Sequence, residues 1–246
     1  MGSTAQAMLV VTQVAPYVHG PAGVHGVLTQ AEVALCELGA MSGLVPSAVR
    51  DVRTVDASVL ASGAPDHPVV LALFTIGETP FTTAQRQAIT SAWRTGALRV
   101  LGVHSATDAC HTWGTYGGLL GGRFAGHPWT RDFAIEVADP VHPSTAHVAP
   151  TWDWHDEIYL FSDLRPDARI LLRLAPGQVE PPDGTAAPEC GYPLAWCVQD
   201  GRARTFYTAL GHFPTAWEST AYLGHLSGGL SWLLGDGNPV PAGSVQ

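Results

Sequence analysis

The chain has 246 residues, of which 46% are hydrophobic and 13% are charged, and its formal net charge is −9 at pH 7. This balance is typical of a compact globular protein and argues against nucleic acid as a partner, since affinity for a phosphate backbone comes from dense basic patches. All 12 basic residues are arginine. Chemistry that requires a lysine amine, such as Schiff-base formation or a Walker-type phosphate site, is therefore excluded.

Cysteine usage and hydropathy predict a cytoplasmic protein without a membrane partner. No two of the four cysteines have the Cys-x-x-Cys spacing, which favours buried reduced thiols over a zinc knuckle or a disulfide framework. No basic and then apolar leader opens the sequence, and no apolar run approaches the roughly 20 residues that span a bilayer.

The first elements in chain order are a strand, a helix and a second strand. The β-branched run at 8–14 predicts a buried strand, and apolar residues from Val24 to Leu38 recur at helical spacing until Gly39. A second apolar run, within 67–77, predicts the next strand. Strands that alternate with helices in this way indicate βαβ units and a parallel sheet with both faces covered.

The next helix and strand carry clear boundary signals. Residues 81–96 predict a helix in which Thr82 and Gln85 form a capping box and Gly96 ends the last turn. The run "LRVLGV", residues 98–103, follows as another buried strand.

The second half of the chain has a different composition. Residues 128–195 are rich in Pro, Asp and Trp and predict short strands, such as 132–137 and 168–175, joined by long loops beside the main sheet. Next comes a predicted hairpin that turns at Asp200-Gly201, and then a helix over 222–235.

A turn after the strand at 98–103 has an unusual occupant. Gly102 and Ala106 flank His104 two residues away on each side, the pattern of a sharp strand-to-helix turn that exposes a reactive side chain. Serine or cysteine is usual at such a turn. Ser105 is a poor nucleophile candidate because adjacent side chains diverge, and Cys110 is better explained by helix packing.

Three histidines are predicted at the carboxyl ends of strands, where open α/β sheets bind ligands. His104 follows its strand directly, His25 lies at the entrance of the first helix, and His212 follows the strand predicted at 205–210. Asp156 and Glu157 form an acidic pair among aromatic residues. Imidazoles and a carboxylate can bind a catalytic divalent ion or act as acid and base without a metal, and the sequence leaves both open.

Several separated motifs resemble the ThuA-like, or trehalose-utilisation, family. They are "GVHSATD", "YGGLLGGRFAGHPW", "DEIYLF", "YPLAWCVQDGRARTFYTALGH" and "HLSGGLSWLLG", and the resemblance runs over residues 8–235. It implies one domain over 1–246, with a core at 8–235 and a tail at 236–246. It also implies the class I glutamine amidotransferase-like fold, a flavodoxin-like three-layer α/β sandwich with a mostly parallel central sheet.

The resemblance also implies roles for individual residues. His104 stands where amidotransferases of this fold carry a cysteine, so glutamine hydrolysis is not expected. His212 matches the "GH" near the amidotransferase histidine, His25 the histidine before the first helix, and Glu157 the "DE-x-Y" glutamate. Because the first loop holds two histidines, His19 is an alternative to His25.

Two functional hypotheses follow. The first is an enzyme of disaccharide or keto-sugar catabolism in which His104, His212 and Glu157 are catalytic, and in which His25, His104 and His212 bind a divalent metal, zinc above all. Its predicted substrate contacts are Trp113, His127 and Tyr159, with further tryptophans as sugar-stacking candidates. The second is a non-catalytic sugar-binding or regulatory module on the same scaffold. A homodimer is compatible with either hypothesis. The further tryptophans are Trp129, Trp152 and Trp154.

Overall fold

A computed structural model describes residues 6–13, 25–181 and 188–235, apart from the side chains of residues 25 and 26. Nine strands form one sheet in the order β2-β1-β3-β4-β9-β8-β7-β5-β6. The strands are β1 (Ala7–Val11), β2 (Val45–Val49), β3 (Val69–Leu73), β4 (Leu98–Val103), β5 (Arg123–Val137), β6 (Thr151–Ser162), β7 (Arg169–Leu174), β8 (Pro193–Asp200) and β9 (Ala203–Thr208). The helices are α1 (His25–Met41), α2 (Ala57–Leu60), α3 (Thr83–Thr95), α4 (Tyr116–Leu120) and α5 (Thr220–Leu234). The predicted tail at 236–246 lies outside the described residues.

Helices cover both faces of the half of the sheet that contains β1, β3 and β4. Along β3, Val70 and Ala72 belong to one hydrophobic cluster and Leu71 and Leu73 to the other, as the period of two in a strand requires. The first cluster includes apolar residues of α1 and α5, and the second includes those of α3 and α4. The predicted layering is therefore present here.

The prediction of a mostly parallel sheet is wrong. The pairings of β1 with β2, β1 with β3, β3 with β4 and β4 with β9 are parallel, whereas β9-β8-β7-β5-β6 is antiparallel throughout. Antiparallel pairing predominates because β5 and β6 are the longest partners. The segment from β5 to β9 contains no crossover helix among its described residues, and parallel neighbours need such a crossover.

Boundary signals in the sequence located some elements closely. The capping box of Thr82 and Gln85 is present at the start of α3, and Gly96 ends that helix in the left-handed conformation with φ 81°. In contrast, α1 continues past Gly39 to Met41. The edge strand β2 was not predicted, because it is largely exposed and contains a proline. Among the described residues, none of the helices combines the length and apolar character that crossing a bilayer requires.

The β5–β6 ribbon is irregular at one place. The register between the two strands shifts on both sides of Gly126, whose φ is 146°. Pro128, which cannot donate to the ladder, follows two residues later. Bulges bend a ribbon and redirect side chains, and His127 lies within this one. The bend brings β5 against the turn that follows β4.

Glycines on α5 allow the segment 139–148 to approach the helix closely. A Cβ on Gly228 would lie 2.2 Å from the carbonyl oxygen of Pro143, which is backbone and cannot move alone. We therefore expect Gly228→Ala to lower the free energy of unfolding by about 1–3 kcal/mol, as overpacking does. Urea denaturation checks this value. The matched control is Gly118→Ala in α4, where a Cβ has nothing within 4 Å and no loss of stability is expected.

Candidate functional site

His104 occupies a sharp turn at the carboxyl end of β4. Its φ is 47°, an uncommon conformation for a residue other than glycine, and a 3₁₀ helix, His104–Asp108, begins at the same residue. A Cβ at Gly102 would lie 2.9 Å from the Tyr207 ring, so the small residue predicted before the turn is needed there. The Tyr207 hydroxyl donates to the His104 carbonyl at 2.6 Å and holds the turn.

The surroundings of His104 determine which ring nitrogen carries the proton. Its Nδ1 lies 2.7 Å from the carbonyl oxygen of Ala209, which can only accept a hydrogen bond. Nδ1 is therefore the donor, and in the neutral imidazole the lone pair is on Nε2. The ring is 3% exposed, so this lone pair points into a largely buried site.

Three predicted residues meet at that nitrogen. The Nε2 atom of His104 lies 3.1 Å from Nδ1 of His212 and 3.5 Å from Oε2 of Glu157, and the latter two atoms are 3.4 Å apart. These three residues form a group whose ligand atoms could hold one metal ion. Three residues that are spread over more than 100 positions of the chain thus form one compact donor set.

The protonation states of this group suit a ligand set. Burial alone raises the pKa of Glu157, but the neighbouring imidazoles of His104, His212 and His127 outweigh it, so the pKa is lowered and the carboxylate is ionised. Burial and the neighbouring His104 lower the pKa of His212, which favours neutral imidazole. An ionised carboxylate and neutral imidazoles are the forms that bind metal ions.

Tyr159 and His127 line the approach to the group. The Tyr159 hydroxyl lies 2.8 Å from Nε2 of His104, and burial raises the tyrosine pKa well above its usual value, so the hydroxyl stays protonated. The His127 ring stacks on Tyr159, and its Nδ1 lies 3.7 Å from Oε1 of Glu157. Because His127 is partly exposed, it lies between the buried group and solvent.

Asp156 supports the site from behind. Its Oδ1 accepts from the backbone N–H of Glu157 at 2.9 Å, and its Oδ2 accepts from Gly211 N–H at 2.8 Å and from the Trp154 indole at 3.1 Å. The carboxylate is fully buried and joins β6 to the segment that carries His212. Asp156 is therefore a positioning residue, whereas Glu157 faces the imidazoles.

We expect Asp156→Asn to lower the free energy of unfolding by about 1.5–3 kcal/mol, since an amide cannot accept from donors on both sides. Denaturant unfolding followed by tryptophan fluorescence measures this difference. Asp153→Asn, at an exposed position of the same strand, is the control and should be neutral. Equal stability of the two variants would show that the Asp156 contacts contribute nothing.

The predicted tryptophans pack against other aromatic rings. Trp113 is in the hydrophobic core, with its ring against Phe81 and Tyr116, so it does not offer a free face for a sugar. The remaining tryptophans are partly buried and pack on neighbouring aromatic rings: Trp129 on Tyr192, Trp152 on Trp154, and Trp154 on Tyr222. His25 begins α1, but its side chain is outside the described residues, as is all of His19.

Asp108 was not predicted as a site residue. It ends the 3₁₀ helix that begins at His104, and its carboxylate pairs with His111 at 3.1 Å. Burial raises its pKa, and the imidazoles of His111, His127 and His104 oppose this shift only in part. Its place in "GVHSATD", four residues after His104, is the sequence signal that could have identified it.

The buried thiols have no nucleophilic character. Burial raises the pKa of Cys110 to about 11 and that of Cys197 to about 12, and all four cysteines are free. A thiol nucleophile needs the opposite shift.

The fold and the site define an α/β protein with a histidine–carboxylate group at the carboxyl end of a central parallel strand. The sequence model of the family described as ThuA, trehalose utilisation, matches residues 18–233. The chain belongs to this family. No curated protein matches the sequence.

Solved structures agree with this assignment. A thua-like protein of Bacteroides uniformis ATCC 8492 superposes with a TM-score of 0.71 at 19% identity, over 95% of this chain and 94% of that chain. One of Parabacteroides merdae ATCC 43184 gives 0.66 at 17% identity, over 96% and 91%. A carbohydrate deacetylase gives 0.56 at 14% identity, over 94% of this chain but 32% of its own. At these identities, the similarity shows the fold.

Proposed function

We propose that this protein is a divalent-metal-dependent enzyme of carbohydrate catabolism that acts on a disaccharide or an oxidised keto-sugar. His104, Glu157 and His212 would hold the ion, with zinc the favoured metal. The observation that carries the proposal is the spacing of their ligand atoms, which are 3.1, 3.4 and 3.5 Å apart. Ligand atoms bound tetrahedrally to one zinc at about 2.0–2.2 Å lie about 3.3–3.6 Å from one another.

The donor set fits zinc in chemistry as well as in spacing. Two imidazole nitrogens and one carboxylate oxygen are the protein ligands of many catalytic zinc sites, which keep a further position for water or substrate. A bound ion would polarise a sugar carbonyl or hydroxyl and lower the pKa of a bound water. The Ala209 carbonyl fixes the ring of His104, the kind of outer contact that orients metal ligands.

The surrounding residues supply the remaining roles. The Tyr159 hydroxyl, which stays protonated, donates a hydrogen bond to a substrate oxygen beside His104. His127, at the mouth, orients substrate against the Glu157 side. Asp108 holds a carboxyl whose pKa is raised while that of Glu157 is lowered, and such a pair of opposed shifts is typical of an acid paired with a base or ligand.

Metal analysis and turnover test the proposal together. Untagged protein purified without chelators should contain about one zinc or similar ion per chain by mass spectrometry. Loaded protein should convert a member of a panel of disaccharides and their keto derivatives, chelation should abolish turnover, and zinc should restore it. If the protein cannot be loaded with any divalent ion, the proposal of a metal-dependent enzyme is wrong.

A second candidate is a sugar-binding module without catalysis. The observation that favours it is that the fold also forms about a third of a larger carbohydrate-active chain, the deacetylase. Saturable binding of a panel sugar by calorimetry, unchanged by chelation and without turnover, would support this candidate over the first.

A further inference from the structure

Arg99 is a buried arginine that has no carboxylate partner within the described ranges of the chain. It is the second residue of β4 and only 6% exposed. Its guanidinium donates to the carbonyl oxygens of Arg202 and, at 3.4 Å, Pro65, and its Nε has no hydrogen-bond partner among the described residues. Burial, together with the charges of Arg204 and Arg202, lowers its pKa to about 10. The group remains charged at neutral pH.

Two further arginines line the same depression. Arg202 and Arg204 come from the β8–β9 hairpin, and with Arg99, Pro65, Asp66 and Gly201 they enclose about 240 Å³. Arg204 is held in place, because its Nη1 donates to the Trp232 carbonyl at 2.7 Å and its guanidinium lies over the Trp232 ring. None of the three arginines forms a salt bridge with a carboxylate in the part of the chain that the structure describes.

The surrounding backbone is shaped around these groups. Gly96, at the end of α3, has a φ of 81°, and a Cβ there would lie 2.7 Å from Nη1 of Arg99 and 2.8 Å from the Arg202 carbonyl oxygen. The segment "TGALR" thus brings a helix end, a buried guanidinium and the hairpin turn together. Any larger residue at position 96 would disturb this packing.

Three like charges at one place in a protein of net charge −9 need an explanation. A buried cation is costly without a counter-charge, and nearby cations increase that cost. Asp66 is the one carboxylate on the lining, but it is exposed and is not within salt-bridge distance of any of the three. The carbonyl oxygens of Arg202 and Pro65 accept hydrogen bonds from Arg99 but do not neutralise its charge. An anion from solution would accept hydrogen bonds and also neutralise the charge.

We propose that the depression lined by Arg99, Arg202 and Arg204 binds a phosphate-class oxyanion, either inorganic phosphate or the phosphoryl group of a small metabolite. The forked donors of arginine match the oxygens of such a group. His104 follows Arg99 by five positions along the chain, which is about 16 Å at the usual rise of a parallel strand. The site is therefore separate from the histidine group, and it does not depend on the proposed enzyme function.

Calorimetry with inorganic phosphate, at constant ionic strength set with chloride, tests the proposal on the full chain. We expect saturable binding that Arg202→Ala, at the exposed rim, weakens by about tenfold or more. Arg131→Ala, at an exposed arginine on β5, is the matched control and should bind as the unaltered protein does. Phosphate that binds no better than chloride, or equal binding by both variants, overturns the proposal.

A comparison of three ligands identifies the source of the oxyanion. A hexose phosphate that binds more tightly than inorganic phosphate, while free hexose fails to compete, identifies a phosphorylated metabolite. Tighter binding of inorganic phosphate than of hexose phosphate identifies the free ion.

We expect Asp66→Asn to tighten phosphate binding, because it removes a negative charge that repels phosphate. If it instead lowers the melting temperature and phosphate does not restore it, Asp66 is the internal counter-ion and the proposal is wrong.

Discussion

His104→Asn is expected to weaken zinc binding by at least about 100-fold and to abolish the metal-dependent turnover proposed above. Replacing residues that merely support metal ligands typically costs 10–100-fold, and here a ligand itself is removed. Asparagine is the right replacement because it tolerates the positive φ of 47° better than alanine does. Competition with a chromogenic zinc chelator gives the affinity, and a sugar assay gives the rate.

The control for this prediction is a histidine on the β5–β6 ribbon that pairs with a carboxylate outside the group. His155, two residues from Glu157, pairs at 2.7 Å with the exposed Asp132 and is itself about half exposed. His155→Asn should keep both zinc affinity and turnover. If the two variants lose zinc equally, or neither does, the ion is not held by His104.

The second large effect concerns acid stability and a different pair of histidines. Burial lowers the pKa of His142 to about 4 and that of His225 to about 3. Asp139 opposes the shift at His142 and Arg169 adds to it, while His147 adds to the shift at His225. The unfolded chain takes up these protons near pH 6.5, whereas the folded chain does not. The contribution of these two histidines to the free energy of unfolding is therefore complete above about pH 6.5. It decreases as the pH falls, by about 1.4 kcal/mol per pH unit for each histidine.

Hydrogen bonds at Ser144 determine which nitrogen of each neutral ring carries the proton. Nδ1 of His142 accepts from the Ser144 N–H at 3.2 Å, and Nδ1 of His225 donates to the Ser144 carbonyl at 3.1 Å. Both Nε2 atoms are buried without a hydrogen-bond partner among the described residues. A second proton would remove the acceptor at His142 or bury an unpaired charged donor at His225.

Urea unfolding between pH 7.5 and pH 5 measures this effect. The double variant His142→Asn, His225→Asn keeps an acceptor or donor near each Nδ1 position, and it should show a clearly shallower dependence of unfolding free energy on pH. His67→Asn, at an exposed histidine, is the control and should leave the slope unchanged. Parallel pH profiles for all three proteins would contradict the prediction.

Local signals in the sequence were sufficient to predict elements whose boundaries are set by residues next to them in the chain. The capping box at Thr82 and Gln85, the left-handed Gly96 and the apolar run of β4 depend on neighbouring residues, so they could be predicted directly. The turn at His104 belongs to the same class, because its small flanking residues are a local steric requirement. The ThuA motifs identified the family for a similar reason, because each motif is a run of consecutive residues.

The tertiary structure decided which of the candidate residues meet. Glu157 lies in β6, and its approach to His104 depends on how the long β5–β6 ribbon bends at the bulge around Gly126. The turn at Asp200-Gly201 predicted the antiparallel pair of β8 and β9, but the bending of the β5–β6 ribbon results from contacts between distant segments, which no local pattern encodes. The same holds for Trp113, a predicted substrate contact whose ring packs in the hydrophobic core. The sequence by itself determined the family, the buried strands β1, β3 and β4, and the histidine at the turn. Only the folded sheet determined that a carboxylate, a second imidazole and a tyrosine surround it, because side chains far apart in sequence can share one small volume only after every strand between them is in register.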